Sequence, residues 1–191
     1  PIQLDLSGSV SADSFADLTK IVENNQVTFG DQYTWSSYNP TTRKVIYTQK
    51  ADKLTIMDGS SQIIFTINAN DQVVSYEQIY AGSVQVLGKE RELITAQKAV
   101  EILYLAGRIS SKATVQSVKL SYYQSLVLKD FSIYSPAWYI EIRQADGQLI
   151  ARRVDAIHGT VLANETLETT NTQTQRTTTN NTTTTQSVQQ Q

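Results

Sequence analysis

The stretch AWYIEIRQADGQLIARRVDA, residues 137–156, decides the fold of the C-terminal part of the chain. Its first half has inward-facing residues at every second position, the period of a strand with one buried face: Trp138, Ile140 and Ile142. Asp146-Gly147 follows, and because both positions tolerate positive φ, the pair predicts a two-residue hairpin turn. The return strand is predicted from Leu149 to Ala156. The stretch therefore predicts an antiparallel hairpin.

A helix is predicted upstream of this hairpin. Thr95 is a suitable N-cap, and Gly107 stands where a helix end favours positive φ. Between them, small and apolar residues recur at helical spacing: Ala96, Ala99, Val100, Leu103 and Ala106. A further strand is predicted from Val115 to Tyr123. One helix packed on antiparallel strands is an α+β unit, which we assign to residues 89–163.

The N-terminal part predicts a second α+β unit over residues 1–88. A helix is expected after Ser11, because Phe15, Leu18 and Val22 follow at spacings of three and four. Short strands with polar turns then form an antiparallel meander, in which Asp58-Gly59 signals a hairpin: 33–38, 44–49, 54–57, 62–68 and 73–80. The predicted fold is therefore α+β, with two subdomains that each combine an antiparallel sheet and a helix.

Composition sets the last 28 residues, 164–191, apart from the rest of the 191-residue chain. They are almost entirely Thr, Asn and Gln, which cannot bury enough apolar surface to offset the cost of ordering the backbone. We predict that this tail is disordered.

Several classes of function are excluded by composition. The net charge is -2 and charged residues are only 18%, so no basic patch for nucleic acid is expected. There is no Cys, and the single His158 cannot form a multi-histidine metal site. No apolar run is long enough to span a bilayer. We predict no cofactor and no metal, and the lack of Cys fits an extracellular protein of a Gram-positive bacterium.

The sequence gives little support for any catalytic residue. His158 and Asp155 lack a nucleophile elbow such as Gly-x-Ser-x-Gly, and an exposed turn histidine is the simpler interpretation. Two carboxylate pairs are candidates for an acid and a base, Glu90 with Glu92 and Asp130 with Glu141, but such spacing is typical of a solvated face. We therefore predict no catalytic residues and a protein that is not an enzyme.

Aromatic residues are better candidates for partner contact. If Trp138 faces the core, strict alternation turns Tyr139, Glu141 and Arg143 outward, where Tyr is favoured in interfaces. Tyr80, at the end of a predicted strand, is a fourth candidate. These four residues are the predicted contact surface.

The C-terminal unit resembles the PepSY domain, through its Ala-rich helix and the phrase Val154-Asp155-Ala156-Ile157-His158-Gly159. A longer series of residues resembles the YycI family over roughly residues 26–162: Tyr47-Thr48-Gln49, Tyr76–Tyr80, Leu93–Ala96, Ala99, Leu103-Tyr104, Leu120–Tyr123 and Tyr134–Trp138. Members of that family are accessory regulators of the WalR/WalK two-component system that controls cell-wall metabolism.

The YycI resemblance implies a single-pass membrane protein whose N-terminal transmembrane helix precedes this stretch, which starts at Pro1. This domain would lie outside the membrane and act with a YycH-like protein on the WalK-type sensor histidine kinase. Two alternatives stay open. One is a ligand-binding sensor with a pocket between the subdomains, and the other is a PepSY-type protease inhibitor that uses an edge strand.

Overall fold

The computed structural model describes residues 2–163, apart from the side chain of Asn25, so the predicted disorder of residues 164–191 lies outside the described part. The fold is α+β, as predicted, with two antiparallel sheets and two α-helices. The elements in chain order are β1 (Ile2–Gln3), α1 (Ala16–Ile21), β2 (Tyr33–Asn39), β3 (Lys44–Ala51), β4 (Leu54–Thr55), β5 (Gln62–Ile67), β6 (Gln72–Ile79), α2 (Ala96–Leu105), β7 (Thr114–Val127), β8 (Ser132–Arg143) and β9 (Leu149–Asp155).

The first sheet has the strand order β1-β6-β5-β3-β2, with β4 paired to β3. The predicted meander is confirmed for β2, β3, β5 and β6, but the predicted hairpin at Asp58-Gly59 is wrong. The tight turn lies one strand earlier, where Ala51 pairs with Leu54 and Asp52 adopts a φ of 54°. Asp58 and Gly59 instead connect β4 to β5, because β5 pairs with β3 rather than with β4.

The helical segment of the N-terminal unit covers one face of this sheet. A 3-10 turn, Ala12–Phe15, leads into α1, and a π-helical turn, Val22–Gln26, follows it. The three predicted core residues, Phe15, Leu18 and Val22, are all 0% exposed. They pack on alternating side chains of the sheet: Val45, Tyr47, Ile63, Phe65 and Ile67. The apolar face of the helical segment and the apolar face of the sheet therefore form one core.

The second sheet has the order β7-β8-β9 and packs α2 against one face. Thr95 caps α2 as predicted, since its hydroxyl accepts the N–H of Lys98 at 3.1 Å. The core between the helix and the sheet contains the apolar residues that alternation predicted, together with partners from α2 and β9: Ala99, Leu103, Ile140, Ile142 and Val154. Trp138 packs beside them, and its indole Nε1 donates to the carbonyl of Ile94 at 2.9 Å.

Residues 80–95 connect the two sheets as a segment without helix or strand, most of which is exposed. The domain boundary at residues 88 and 89 stays a prediction, as does the likeness of the C-terminal unit to a PepSY domain. Within residues 2–163, the helices are too short and too polar to cross a membrane.

Candidate functional site

The candidate site is the junction where the second sheet meets the first. The face of β8 that points away from α2 lies against the first sheet. A cavity of about 20 Å³ remains between them, lined by Ser36, Ser37, Ile46, Thr48, Met57, Gly59, Gln62 and Tyr139. A space of this size holds about one water molecule. It is too small for a cell-wall fragment or a lipid headgroup.

Residues 56–60, which we call the junction segment, make the polar contacts across this boundary. Ile56 forms a parallel bridge with Tyr122 of β7, and the N–H of Met57 donates to the Tyr122 carbonyl at 3.0 Å. Arg153 of β9 donates to the carbonyl of Met57 at 3.1 Å. The junction segment thus ties the first sheet to two strands of the second.

Asp58 is the central acceptor of this junction segment. One carboxylate oxygen accepts the N–H and the hydroxyl of Ser60, at 2.9 and 2.5 Å. The other oxygen accepts the main-chain N–H of Gln124 in β7 at 2.5 Å. One side chain therefore shapes the turn and also holds the second sheet. The sequence signalled a turn here but gave no indication of its partner in β7.

Asp58→Ala should reduce the free energy of unfolding by about 2 kcal/mol, because it leaves half-buried donors without their charged acceptor. Chemical denaturation followed by circular dichroism measures the change. Asp130→Ala, in the exposed turn between β7 and β8, is the matched control and should change stability by less than about 0.5 kcal/mol. Equal effects of the two substitutions would contradict the role given to Asp58.

Tyr139 is placed differently from our expectation. It was predicted to face solvent, but only 7% of it is exposed. The alternation itself holds, since Ile140 and Ile142 face α2. The second face of β8 is nevertheless covered, because the first sheet packs on it. This burial, and then the negative charge of Glu141, raise the pKa of Tyr139 to about 12.

The other predicted contact residues do not form one cluster with Tyr139. Glu141 is half-buried and accepts the Ser117 hydroxyl at 2.6 Å, while Arg143 is exposed at the end of β8. Tyr80 belongs to the N-terminal unit, where its ring stacks on Phe29 at 4.4 Å between centroids. Their role in partner contact stays a prediction.

Asp155 organises the turn that follows β9. It is 6% exposed, and one oxygen accepts the N–H groups of Ile157 and His158 at 2.8 and 2.7 Å. The other oxygen accepts the Tyr123 hydroxyl at 2.7 Å. Burial alone would raise the pKa of Asp155, but these hydrogen bonds outweigh it and hold the pKa below its ordinary value. The carboxylate is therefore used structurally.

His158 contacts Asp155 through Nδ1 at 3.2 Å, and 71% of its side chain is exposed. This matches the expected exposed turn histidine. The considered carboxylate pairs are also separated or solvated: Asp130 and Glu141 lie toward opposite ends of β8, and Glu90 and Glu92 are exposed. Among the described residues, no group of three or more acidic or histidine side chains could hold a metal ion.

Exposed apolar side chains mark three further surfaces that the sequence did not single out. One is the outer strand β6, with Val74, Tyr76 and Ile79. The second is the connecting segment, with Val84, Val86 and Leu87. The third is the tip of the β7–β8 hairpin, with Leu126, Val127, Leu128 and Phe131. No sequence pattern distinguishes these residues from core residues, since they would be core if another element covered them.

Comparison with known proteins supports the resemblance seen in the sequence. The family model described as YycI protein matches residues 1–157, which includes all of the first sheet and all of the second. The match begins earlier than the predicted start near residue 26. No curated protein sequence matches the chain.

Proposed function

The chain belongs to the YycI protein family, and from this membership we propose that it modulates a WalK-type sensor histidine kinase by direct protein contact. The observation that carries the proposal is the family match over residues 1–157. We propose that the protein works together with a YycH-like protein and has no catalytic activity of its own. We place this domain outside the cell membrane, on a protein with an N-terminal transmembrane helix.

A regulator of this kind must bind one state of the kinase better than the other, because a ligand with equal affinity for both states shifts nothing. A difference of about 1–3 kcal/mol changes the ratio of the two states roughly 5- to 150-fold. A difference in affinity of this size needs only a protein–protein contact and no catalytic activity. The exposed apolar side chains on β6, the connecting segment and the β7–β8 tip are consistent with a protein that works through its surface.

The ligand-binding alternative receives little support at the junction. A sensor for a cell-wall fragment needs a concave pocket with converging polar groups, commonly several hundred Å³ in volume. The cavity that Tyr139 lines measures about 20 Å³. The protease-inhibitor alternative requires an exposed edge strand. A protease assay with the purified domain separates it from the proposed function.

Capture from native membranes tests the proposed function. The 191-residue chain, immobilised at its C-terminus, should retain the sensor kinase and the YycH-like protein, identified with specific antibodies. A version that carries the family's transmembrane helix serves as the comparison, and an unrelated extracytoplasmic domain is the control. Capture by both versions supports a contact made by the residues described here. Capture by neither would refute the proposal.

Arg143 and Glu141 are the first residues to vary in that assay, because their side chains reach solvent on β8. Tyr80 remains a proposed contact residue on the N-terminal unit. Tyr139 is better regarded as a junction residue.

A further inference from the structure

The β7–β8 tip extends beyond the packed part of the second sheet. In the described part of the chain, the main-chain hydrogen bonds of β8 to β9 and to the turn after it end at Pro136. The hydrogen bonds of the hairpin to the junction segment end at Gln124 of β7 and Tyr134 of β8. Beyond these positions, the side-chain hydrogen bonds of residues 125–133 stay inside the hairpin, and residues 125–131 are all exposed. The tip is therefore a convex projection.

Most apolar side chains of the tip lie on one face of the hairpin. Leu126 of β7 pairs with Ile133 of β8. Closer to the turn, the N–H of Leu128 donates to the carbonyl of Phe131 at 2.9 Å. Residues opposite each other in an antiparallel pair point to the same face, and so do alternate residues along a strand. These four residues therefore share one face, which we call the apolar tip face, while Val127 points to the other face.

The charges of this region are confined to the turn at the end of the hairpin. Lys129 and Asp130 are the only charged residues in the sequence from 120 to 136. Their charges have opposite signs, so the tip has no net charge. A Lys beside an apolar surface can keep its methylene stem in apolar contact while its ammonium group reaches water or a phosphate. The tip is therefore apolar on one face and polar at its end.

The composition and the shape of the tip favour lipid over protein as the occupant. The residues that dominate binding in protein interfaces are most often Trp, Tyr and Arg, whereas Leu and Val are under-represented among them. The exposed side chains of the tip are Leu126, Val127, Leu128 and Phe131. A protein would need a matching concave pocket around this projection, whereas the boundary between lipid headgroups and acyl chains accepts apolar side chains without a fixed shape. A lipid surface therefore fits the tip better.

The hydrogen bonding of the hairpin limits how deep the tip can enter a membrane. Pairing between β7 and β8 continues to Val127 and Ser132, so the main-chain groups between the two strands are satisfied. The charged turn and the outer edges of the strands still need polar surroundings, because acyl chains offer backbone groups no hydrogen-bond partner. The hairpin must therefore lie obliquely at the level of the headgroups.

We propose that the β7–β8 tip inserts its apolar tip face into the surface of a phospholipid bilayer. Leu126, Leu128 and Phe131 enter the boundary between headgroups and acyl chains, to a depth of about 5–10 Å. Lys129 reaches a lipid phosphate, and Asp130 stays in water. The inference goes beyond the proposed function, which concerns contact with a kinase. On a membrane-anchored protein, such a contact would fix the orientation of this domain above the bilayer.

Sedimentation with lipid vesicles tests the proposal, with Leu87→Ser as the matched control for Phe131→Ser. The vesicles consist of phosphatidylcholine alone or of equal parts phosphatidylcholine and phosphatidylglycerol, at millimolar lipid. The unchanged chain should bind both kinds, and binding should persist at high salt because the tip carries no net charge. Phe131→Ser should weaken binding about tenfold, because it removes an inserted apolar side chain. Leu87→Ser changes a residue of the connecting segment that is 73% exposed and should bind like the unchanged chain.

Each other outcome overturns the inference in a distinguishable way. If the unchanged chain stays in solution with both kinds of vesicle, the tip does not bind lipid, and the proposed contact with the kinase is unaffected. If Phe131→Ser and Leu87→Ser bind vesicles equally, any lipid contact lies elsewhere on the chain. Without vesicle binding, Phe131→Ser could instead weaken binding to the purified extracytoplasmic domain of the kinase or the YycH-like protein, or abolish a dimer of the chain. A protein would then cover the tip.

A fluorescent label supplies a measurement that does not depend on how Phe131→Ser folds. The chain contains no Cys, so a cysteine introduced by Leu128→Cys is its single thiol and can carry a polarity-sensitive fluorophore. Vesicles should raise the emission of this label at least about twofold and shift it to shorter wavelength, because the label leaves water for an apolar layer. The same label on Val86→Cys, in the connecting segment, should not respond. Equal responses at the two positions would overturn the proposal.

Discussion

Gly30→Ala is expected to destabilise the N-terminal unit by at least about 3 kcal/mol, which lowers its melting temperature by roughly 10 °C. Gly30 follows the helical segment and lies directly against the Val22 backbone. A Cβ at this position would overlap the Val22 carbonyl oxygen and lie 2.9 Å from the carbonyl carbon. Since these are backbone atoms of a buried residue, no change of rotamer can relieve the overlap.

Thermal unfolding of Gly30→Ala, followed by circular dichroism, measures this effect, and Gly8→Ala is the control. A Cβ at Gly8 meets nothing within 4 Å, so that substitution should change the melting temperature by less than about 2 °C. A Gly30→Ala protein that melts with the unchanged chain would show that the turn after α1 can move away from Val22.

Asp155→Ala is expected to reduce the free energy of unfolding by about 3–4 kcal/mol. The substitution removes an acceptor that is 6% exposed and leaves the Tyr123 hydroxyl and two main-chain N–H groups without their charged partner. Removing the acceptor from a buried network costs more than a single hydrogen bond contributes. His158→Ala is the control and should cost less than about 1 kcal/mol, since its ring is mostly exposed.

The lowered pKa of Asp155 leads us to expect that the stability of the chain depends on pH. Because the pKa of Asp155 is lower in the folded chain than in the unfolded chain, its contribution is complete above about pH 4. The contribution is lost as the pH falls through the folded pKa. Denaturation curves between pH 7 and pH 2 should therefore show the unchanged chain losing its advantage over Asp155→Asn in acid. A difference that does not vary with pH would contradict the lowered pKa.

The positions of most strands and of both helices followed from the sequence, because their signals are local. Thr95 caps α2 through its own hydroxyl, and the alternation of Ile140 and Ile142 places both in the core. The family resemblance also needed only the order and spacing of residues. Such features depend on neighbours in the chain, which the sequence shows directly.

The errors lie where distant segments meet. The hairpin predicted at Asp58-Gly59 is wrong because β5 pairs with β3. This pairing depends on the arrangement of the whole sheet and not on the residues of the turn. The exposure expected for Tyr139 failed because the first sheet covers a face that alternation alone marks as outward. No sequence pattern separated Gly30, whose role is a close backbone approach, from glycines that only turn the chain.

The sequence by itself determined an α+β fold with two antiparallel sheets and two helices, their core-facing residues and the family to which the chain belongs. Only the tertiary structure decided which second faces are covered and which single carboxylates hold the turns. The physical reason is that periodicity records whether a side chain needs an apolar neighbour on one side of its element. Periodicity does not show which element packs on the other side, and the packing of the first sheet there places Tyr139 in the junction.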